Sequence, residues 1–268
     1  MRSLNGTDLS DFIKQRQANQ VLALRQAHNI TPRLAIILCN DQLASSKYIE
    51  MKQEYAEDIA AEVIVEHSTS KKVVAVIEKH NADPATHGII VQLPLDDPSL
   101  TDDVLAAVSS KKDVDGLNSN EFFDPATPTA ILWLLAGYNV ELRGKKVVVI
   151  GQGKLVGAPL TRMLQASGIS VTKAGRGDDL AAICNDAEVI ITGTGQPGLL
   201  TSDLIPKNAV VVDAGTASEG NKLVGDVDPT VLDTRSDLTI TPRFGGVGPL
   251  TICALFENVI RAANPTKA

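Results

Sequence analysis

The chain has three cysteines, four histidines and one tryptophan in 268 residues, no surplus of positive charge, and no apolar run long enough to cross a bilayer. Cys39, Cys184 and Cys253 lie far apart in apolar runs, with no C-x-x-C and no Cys/His ligand spacing. They read as small core hydrophobes in a reducing compartment, and no metal site is expected. His28, His67, His80 and His87 show no paired ligand spacing either, and surface positions are expected for all four. A formal net charge of −7 leaves no basic stripe to neutralise nucleic-acid phosphates. Met1–Ser10 lacks the apolar segment of a secretory signal, so the cytoplasm is the default location and no membrane partner is expected. No solenoid-length repeat or low-complexity tract occurs.

What is present is an ordinary soluble balance, 44% hydrophobic and 21% charged, in a length that allows one large domain or two. The most informative stretch is Val147-Val148-Val149-Ile150 followed by Gly151-Gln152-Gly153-Lys154-Leu155-Val156-Gly157. A β-branched run entering three glycines and then a helical pattern from Leu155 to Ser167 has the form of a buried parallel strand, a phosphate-facing turn and a helix. The spacing is G-x-G-x-x-x-G and not the commoner G-x-G-x-x-G, so a tight strand-to-helix turn without a ligand stays open at this point.

Elsewhere helical and strand patterns alternate. A helix is expected over Leu4–Ala27, packing through Leu9, Phe12, Ile13, Val21, Leu22 and Leu24, then a strand over Arg33–Asn40 and a second helix from about Ser46 to Ala61. On that helix Tyr48, Lys52, Tyr55, Ala56 and Ile59 share a face, and a lysine there needs a reason, although a lone helical lysine is usually solvated. Strands Val63–Val65 and Gly88–Leu95 flank a helix through Val73–Ile77, and Gln92 falls toward a strand's carboxyl end, where open α/β sheets gather ligands. After a short helix over Thr101–Ser109 comes Lys112-Asp113-Val114-Asp115-Gly116, an acidic turn with a glycine in which both aspartates suit a turn-forming role. Periodicity breaks from Asn118 to Pro125, and Thr127-Pro128 looks like an N-cap with proline at the first helical position, which suggests a domain crossing. Strands at Ile169–Ala174, Val189–Thr192 and Val210–Asp213, with a helix near Leu180–Asn185, follow. The rigid loop Thr241–Thr251 precedes an apolar helix over Ile252–Ala262.

Six of these pieces, in order, resemble the bifunctional methylenetetrahydrofolate dehydrogenase/methenyltetrahydrofolate cyclohydrolase family. They are Ser45-x-x-Tyr48-Ile49-x-x-Lys52, Gly88 to Leu95, Lys112 to Gly116, Thr127-Pro128, Val156-Gly157-Ala158-Pro159, and Thr241-Pro242 with Gly245 to Thr251. The resemblance implies an α/β protein of two domains. A folate-facing α/β domain would comprise residues 1–120, joined by the C-terminal helix 249–268, and a Rossmann-like doubly wound parallel sheet for NAD(P) would comprise 121–248. It implies Lys52 as the central catalytic group, Gln92 as its partner, Tyr48 as a catalytic and folate-stacking residue, and Ser45, Asp115, Gly248 and Pro249 as substrate contacts. Gly151, Gln152, Gly153, Val156, Gly157, Arg176 and Thr216 would bind cofactor. Tetrahydrofolate derivatives are the implied partners and a homodimer the implied assembly.

The chain departs from that family where it would meet the dinucleotide. Gln152 and Gly153 stand where the family has arginine and serine, the arginine being the usual partner of the 2′-phosphate, while the family's His-Ser segment is replaced by Lys173 to Asp179. Lys173 or Arg176 can substitute as a phosphate contact, so NADP is favoured over NAD, with the choice left open by Gln152. Ala126 replaces a cysteine before Thr-Pro, Arg243-Phe244 replaces Val-Pro, and the segment between Gly116 and Thr127 is shorter than usual. The alternatives are a dehydrogenase without efficient cyclohydrolase activity and a non-catalytic folate- or nucleotide-binding paralogue.

Overall fold

The computed structural model describes residues 1–40, 43–118, 122–219 and 222–266, with side chains described except at 43–46, 218–219 and 222–223. By its contacts the chain forms two compact units, one of residues 1–10 and 127–251, the other of 11–126 and 252–268.

The second unit is built on a three-stranded parallel sheet in the order β3-β2-β4, where β2 is Arg33–Leu38, β3 Glu62–His67 and β4 Gly88–Gln92. Ala35 and Ile37 of β2, with Ile89 and Val91 of β4, pack on Val73 and Ile77 of α3 (Val73–Ala82) and on Val104 and Leu105 of α4 (Thr101–Ala107). Leu34, Ile36 and Ile90, pointing the other way, are equally buried, so the sheet is covered on both faces as a parallel sheet requires. Each such residue contributes about 1.5–3 kcal/mol of burial. Helices α1 (Gly6–His28), α2 (Leu43–Asp58) and α9 (Val247–Ala263) meet in a buried knot. Within it Tyr55 Oη donates to Gln17 Oε1 (2.6 Å), Gln17 Nε2 donates to the Cys253 carbonyl (2.9 Å), and Tyr55 stacks on Phe256 at 5.3 Å.

The first unit holds a six-stranded, all-parallel sheet in the order β1-β11-β8-β7-β5-β6. Its strands are β5 (Val147–Ile150), β6 (Val171–Ala174), β7 (Val189–Thr192), β8 (Val210–Asp213), the two-residue β11 (Thr239–Ile240) and the two-residue β1 (Arg2–Ser3). The chain leaves β5 for β6 on one side and returns to β7 on the other, so the strand order reverses at β5. In doubly wound sheets ligands bind at the carboxyl ends of strands at such a reversal. Helices α5 (Ala126–Gly137), α6 (Gly157–Ala166), α7 (Leu180–Cys184) and α8 (Pro229–Thr234) alternate with the strands, and β9 (Ala217–Glu219) pairs with β10 (Lys222–Val224) as a separate antiparallel ribbon.

Several expectations need correction. Phe12 and Leu22 are 76% and 52% exposed, so they take no part in packing α1. Helix α5 begins at Ala126, which puts Thr127 inside its first turn and not at the cap. His80 is buried, because Glu66 Oε2 at 2.8 Å and Thr86 Oγ1 at 3.2 Å satisfy both ring nitrogens. His87 is half-buried, its Nδ1 accepting from the Arg33 amide at 3.1 Å, and burial holds its pKa below the usual imidazole value. The cysteines are buried and free, as core hydrophobes should be.

One contact from α9 fixes the segment that carries Asp115. The buried Asn258 amide donates to the carbonyls of Val114 (2.9 Å) and Asp124 (3.0 Å). Asn258→Ala strands both acceptors, and the expected loss is about 1–3 kcal/mol, read as a lower midpoint in urea unfolding. An unchanged midpoint would show that water replaces the amide.

Candidate functional site

Two groups of residues lie at the carboxyl ends of parallel strands, one in each unit. In the three-stranded sheet, register pairs Gln92, the last residue of β4, with Leu38, the last of β2. Its neighbour on the other element is Lys52, whose Nζ donates to Gln92 Oε1 at 3.0 Å. Gln92 Nε2 donates in turn to the Leu93 carbonyl (3.3 Å), which orients the amide with its oxygen toward the amine. Leu93-Pro94 is a cis peptide.

Lys52 occupies α2 because the helical repeat turns Tyr55, Ala56 and Ile59 into the core and leaves Tyr48 and Lys52, two turns and one turn earlier, half-buried. Asp115 reaches the same place by another route. Ile89 N donates to the Lys112 carbonyl at 2.7 Å, so residues 112–115 run beside β4, and Gly88 has no space for a Cβ against Val114. Gly116 then turns the chain with φ +69, crowded by Phe123 and Pro125, a position only glycine takes without strain. Asp115 and Lys52 lie within each other's field. Burial lowers the Lys52 pKa and raises that of Asp115, and each group partly offsets the other's desolvation by its charge. The result is an amine whose pKa lies below the ordinary lysine value, held by an amide acceptor with a half-buried acid in its field. Such an amine can give and take a proton, and such an acid can accept from a pair of N–H donors.

Asp113, read from sequence as a turn former, does form the turn, its carboxylate accepting from the Asn118 amide at 2.6 Å. It also lies buried beside Asp115, which with desolvation pushes its pKa up to about 6. The Ser45 side chain lies outside the described residues. Gly248 and Pro249 fall in the first turn of α9, both half-buried, among residues that group with the six-stranded unit and not with Lys52.

In the six-stranded sheet the Gly151 turn leaves β5 at the strand-order reversal. Gly151 has φ +88, and its amide donates to the Ala174 carbonyl at 2.8 Å. Gly157 opens α6 so close beneath it that a Cβ would collide with the Gly151 carbonyl oxygen, whereas Gly153 faces open space. Val156 lies against Gly193, where again no Cβ fits. The turn therefore presents bare backbone and the positive end of a ten-residue helix with no side-chain cap, a cradle whose shape and field suit an anionic pyrophosphate. Gln152 does not project from it. Its Nε2 donates to the carbonyls of Gly151 (3.0 Å) and Val149 (3.3 Å), and Thr161 Oγ1 donates to its Oε1 at 3.5 Å. Lys173 and Arg176, at and just beyond the end of β6, are exposed, as is Thr216 beyond β8. The Asp178 carboxylate closes the β6 turn by accepting from the Gly175 amide at 2.7 Å.

Sequence reasoning overlooked Asn258, whose anchoring role no local pattern signals, and the paired acids Asp226, buried, and Asp213, half-buried. Only the run of two acids in Gly225-Asp226-Val227-Asp228 marked that region, and it reads as loop.

Comparison with known proteins agrees with both halves. The catalytic-domain model of tetrahydrofolate dehydrogenase/cyclohydrolase matches residues 4–115, and the NAD(P)-binding-domain model of the same family matches 125–267. The chain is 35% identical to the bifunctional protein FolD of Nitratiruptor sp., over 100% of this chain and 99% of that one. Among solved structures it is similar to the bifunctional enzyme FolD, a methylenetetrahydrofolate dehydrogenase/cyclohydrolase, of Campylobacter jejuni. That pair has a TM-score of 0.91, 35% identity and 98% of each chain covered. It is also similar to the Trypanosoma brucei methylenetetrahydrofolate dehydrogenase-cyclohydrolase complexed with NADP cofactor and inhibitor, with TM-score 0.88, 28% identity, and 96% and 95% covered.

The Lys52–Asp115 coupling has a measurable sign. Asp115 raises the Lys52 pKa, so Asp115→Asn removes that support and the amine should titrate at lower pH than in the parent. Titration of the Lys52 side chain by NMR checks this. A shift upward, or none, would show that the two charges do not share a field.

Proposed function

The chain belongs to the tetrahydrofolate dehydrogenase/cyclohydrolase family, and we propose on that footing that it oxidises 5,10-methylenetetrahydrofolate with NAD(P) and hydrolyses the product to 10-formyltetrahydrofolate. The observation that carries the reading is the half-buried Lys52 amine on Gln92 Oε1 at 3.0 Å, with Asp115 in its field, at the carboxyl edge of the β3-β2-β4 sheet.

The residues divide the work as follows. Asp115 accepts hydrogen bonds from the amino-pyrimidine edge of the pterin, while Tyr48 supplies an aromatic surface one helical turn from the lysine. Ser45, Gly248 and Pro249 complete the substrate contacts. The glycine turn from Gly151 to Gly157, with Val156 and Thr216, holds the dinucleotide, which fits because no side chain obstructs the Gly153 face. A dinucleotide held there would supply the acceptor for a hydride from the one-carbon bridge, and the part of these residues is placement. The folate product is a methenyl cation. Water adds to it, and ring opening then needs both protons of that water removed, one delivered to the departing ring nitrogen and the other released to solvent. Lys52 is the group that moves these protons. Burial lowers its pKa from the ordinary lysine value, which makes the proton easier to give up, and Gln92 fixes its direction.

For the cofactor we favour NADP over NAD. Gln152 is tied to its own turn, but Arg176 and Lys173 leave exposed cations at the end of β6, the strand end that a 2′-phosphate approaches. The same reading makes the enzyme a cytoplasmic homodimer with residues 1–120 and 249–268 facing folate and 121–248 facing the dinucleotide. No helix of the described residues is long and apolar enough to cross a membrane.

Lys52→Met should lower the rate of methenyl hydrolysis by about 10²–10⁴-fold, read from loss of methenyl absorbance. Hydrolysis at the parent rate would remove Lys52 from the mechanism. Reduction assayed with NADP and with NAD tests the oxidation directly, and absence with both would overturn the dehydrogenase reading. Arg176→Ala should weaken NADP by about tenfold and NAD little, since one phosphate-cation contact is lost. Equal losses for both would place the 2′-phosphate elsewhere.

A further inference from the structure

Two carboxylates of the six-stranded unit, the fully buried Asp226 and the half-buried Asp213, are each surrounded by donors. Asp226, fully buried, accepts from Thr192 Oγ1 (2.6 Å), from the Thr194 amide (2.6 Å) and from the Gln196 amide (2.9 Å). Asp213, the last residue of β8, accepts from the amides of Gly215 (2.9 Å), Asp226 (3.1 Å) and Val227 (2.9 Å). The two are interlocked. A Cβ on Gly215 would overlap the Asp226 carboxylate, and one on Gly225 would overlap that of Asp213.

Burying an anion is costly, and amide donors offset the cost only when the backbone delivering them is held in one arrangement. The backbone held by Asp226 is the loop 193–196, which leaves β7 beside β5. That loop is one wall of the glycine turn. Gly193 N donates to the Ile150 carbonyl at 3.0 Å, the missing Cβ of Gly151 faces the Gly193 carbonyl oxygen and Thr194 Cγ2, both at 2.9 Å, and Val156 rests on Gly193. Moving Thr194 therefore moves an atom that fills the space beside Gly151. Asp213 braces Asp226 from behind through its bond to the Asp226 amide, and carries the loop 214–216, which ends in Thr216, by its bond to Gly215.

We infer that Asp226 is a positioning residue for the dinucleotide reaction. By tying the Thr192 hydroxyl and the Thr194 and Gln196 amides to one carboxylate, it fixes the loop after β7 against the Gly151 turn at the spacing a dinucleotide requires. Asp213 holds that carboxylate in place. The inference rests on the dinucleotide reading given above. It adds a group that contacts neither ligand nor reacting atoms and acts through backbone.

The test is binding of NADP and of NAD to the full chain by calorimetry, for the parent, Asp226→Asn and Thr192→Val, at a temperature where circular dichroism shows each fully folded. Amide hydrogen exchange is followed at Thr194 and Gln196. Asp226→Asn turns an acceptor into a donor facing N–H groups, and should weaken the dinucleotide by about tenfold or more while both amides exchange faster. Thr192→Val removes one donor with its shape kept and should weaken it about threefold. A residue that merely staples the fold would lower the melting temperature and leave affinity alone. Dissociation constants within about twofold of the parent's in the variants that fold overturn the assignment, whatever their melting temperatures. If Asp226→Asn does not fold, Thr192→Val decides by itself. A parent that binds neither dinucleotide overturns this inference together with the reading beneath it, and is distinguishable because the variants are then irrelevant to the result.

Discussion

A lysine ammonium taken partly out of water, with an acid close enough to offset the loss, is the constraint that the smaller sheet is built to meet. Burial alone would neutralise Lys52 or expel it, and Asp115 opposes that. The acid in turn is raised by its own burial and brought down by the amine. Each residue's charge eases the other's burial, and they come from elements more than sixty residues apart. The parallel register that ends β2 and β4 together, the backbone bond from Ile89 to Lys112, the tight turn at Gly116 and the Asn258 clamp all serve to bring them together. Gln92 then decides direction, because its amide nitrogen is engaged by a carbonyl and only its oxygen is left to face the amine.

The six-stranded unit relies on main chain at its glycine turn. The turn is shaped by absences of Cβ at Gly151, Gly157 and Gly193. Backbone has no rotamers to adjust, so its placement must come from what anchors it. The buried Asp226 and half-buried Asp213 give their lone pairs to amide groups of the loops beyond β7 and β8. One unit thus tunes a side chain by electrostatics, and the other tunes a main chain by hydrogen bonds.

Much of this was legible in the linear chain because it depends on short-range patterns. The strands at 147–150, 189–192 and 210–213 have the bounds their β-branched runs predict, since a fully buried parallel strand needs an unbroken apolar stretch. The shared face of Tyr48, Lys52, Tyr55, Ala56 and Ile59 follows from helical periodicity. What could not be read is what depends on a remote partner. β1 is two residues long and exists only because Arg2 and Ser3 pair with Thr239 and Ile240. His80 is buried only because Glu66 and Thr86 meet its ring, and Gln152 turns inward only because two carbonyls of its own turn are within reach.

The sequence by itself determined the alternation of strand and helix, the position of the glycine turn and the residue types available for proton transfer, because each is set by neighbours within a few positions. Tertiary structure decided which of those residues act together. It joined Lys52, Gln92 and Asp115 at one sheet edge. It grouped residues 1–10 with 127–251 and residues 252–268 with 11–126, and it put two acids behind the loop beside Gly151. Those outcomes depend on burial and on hydrogen-bond partners dozens of residues away, quantities that no local spacing encodes.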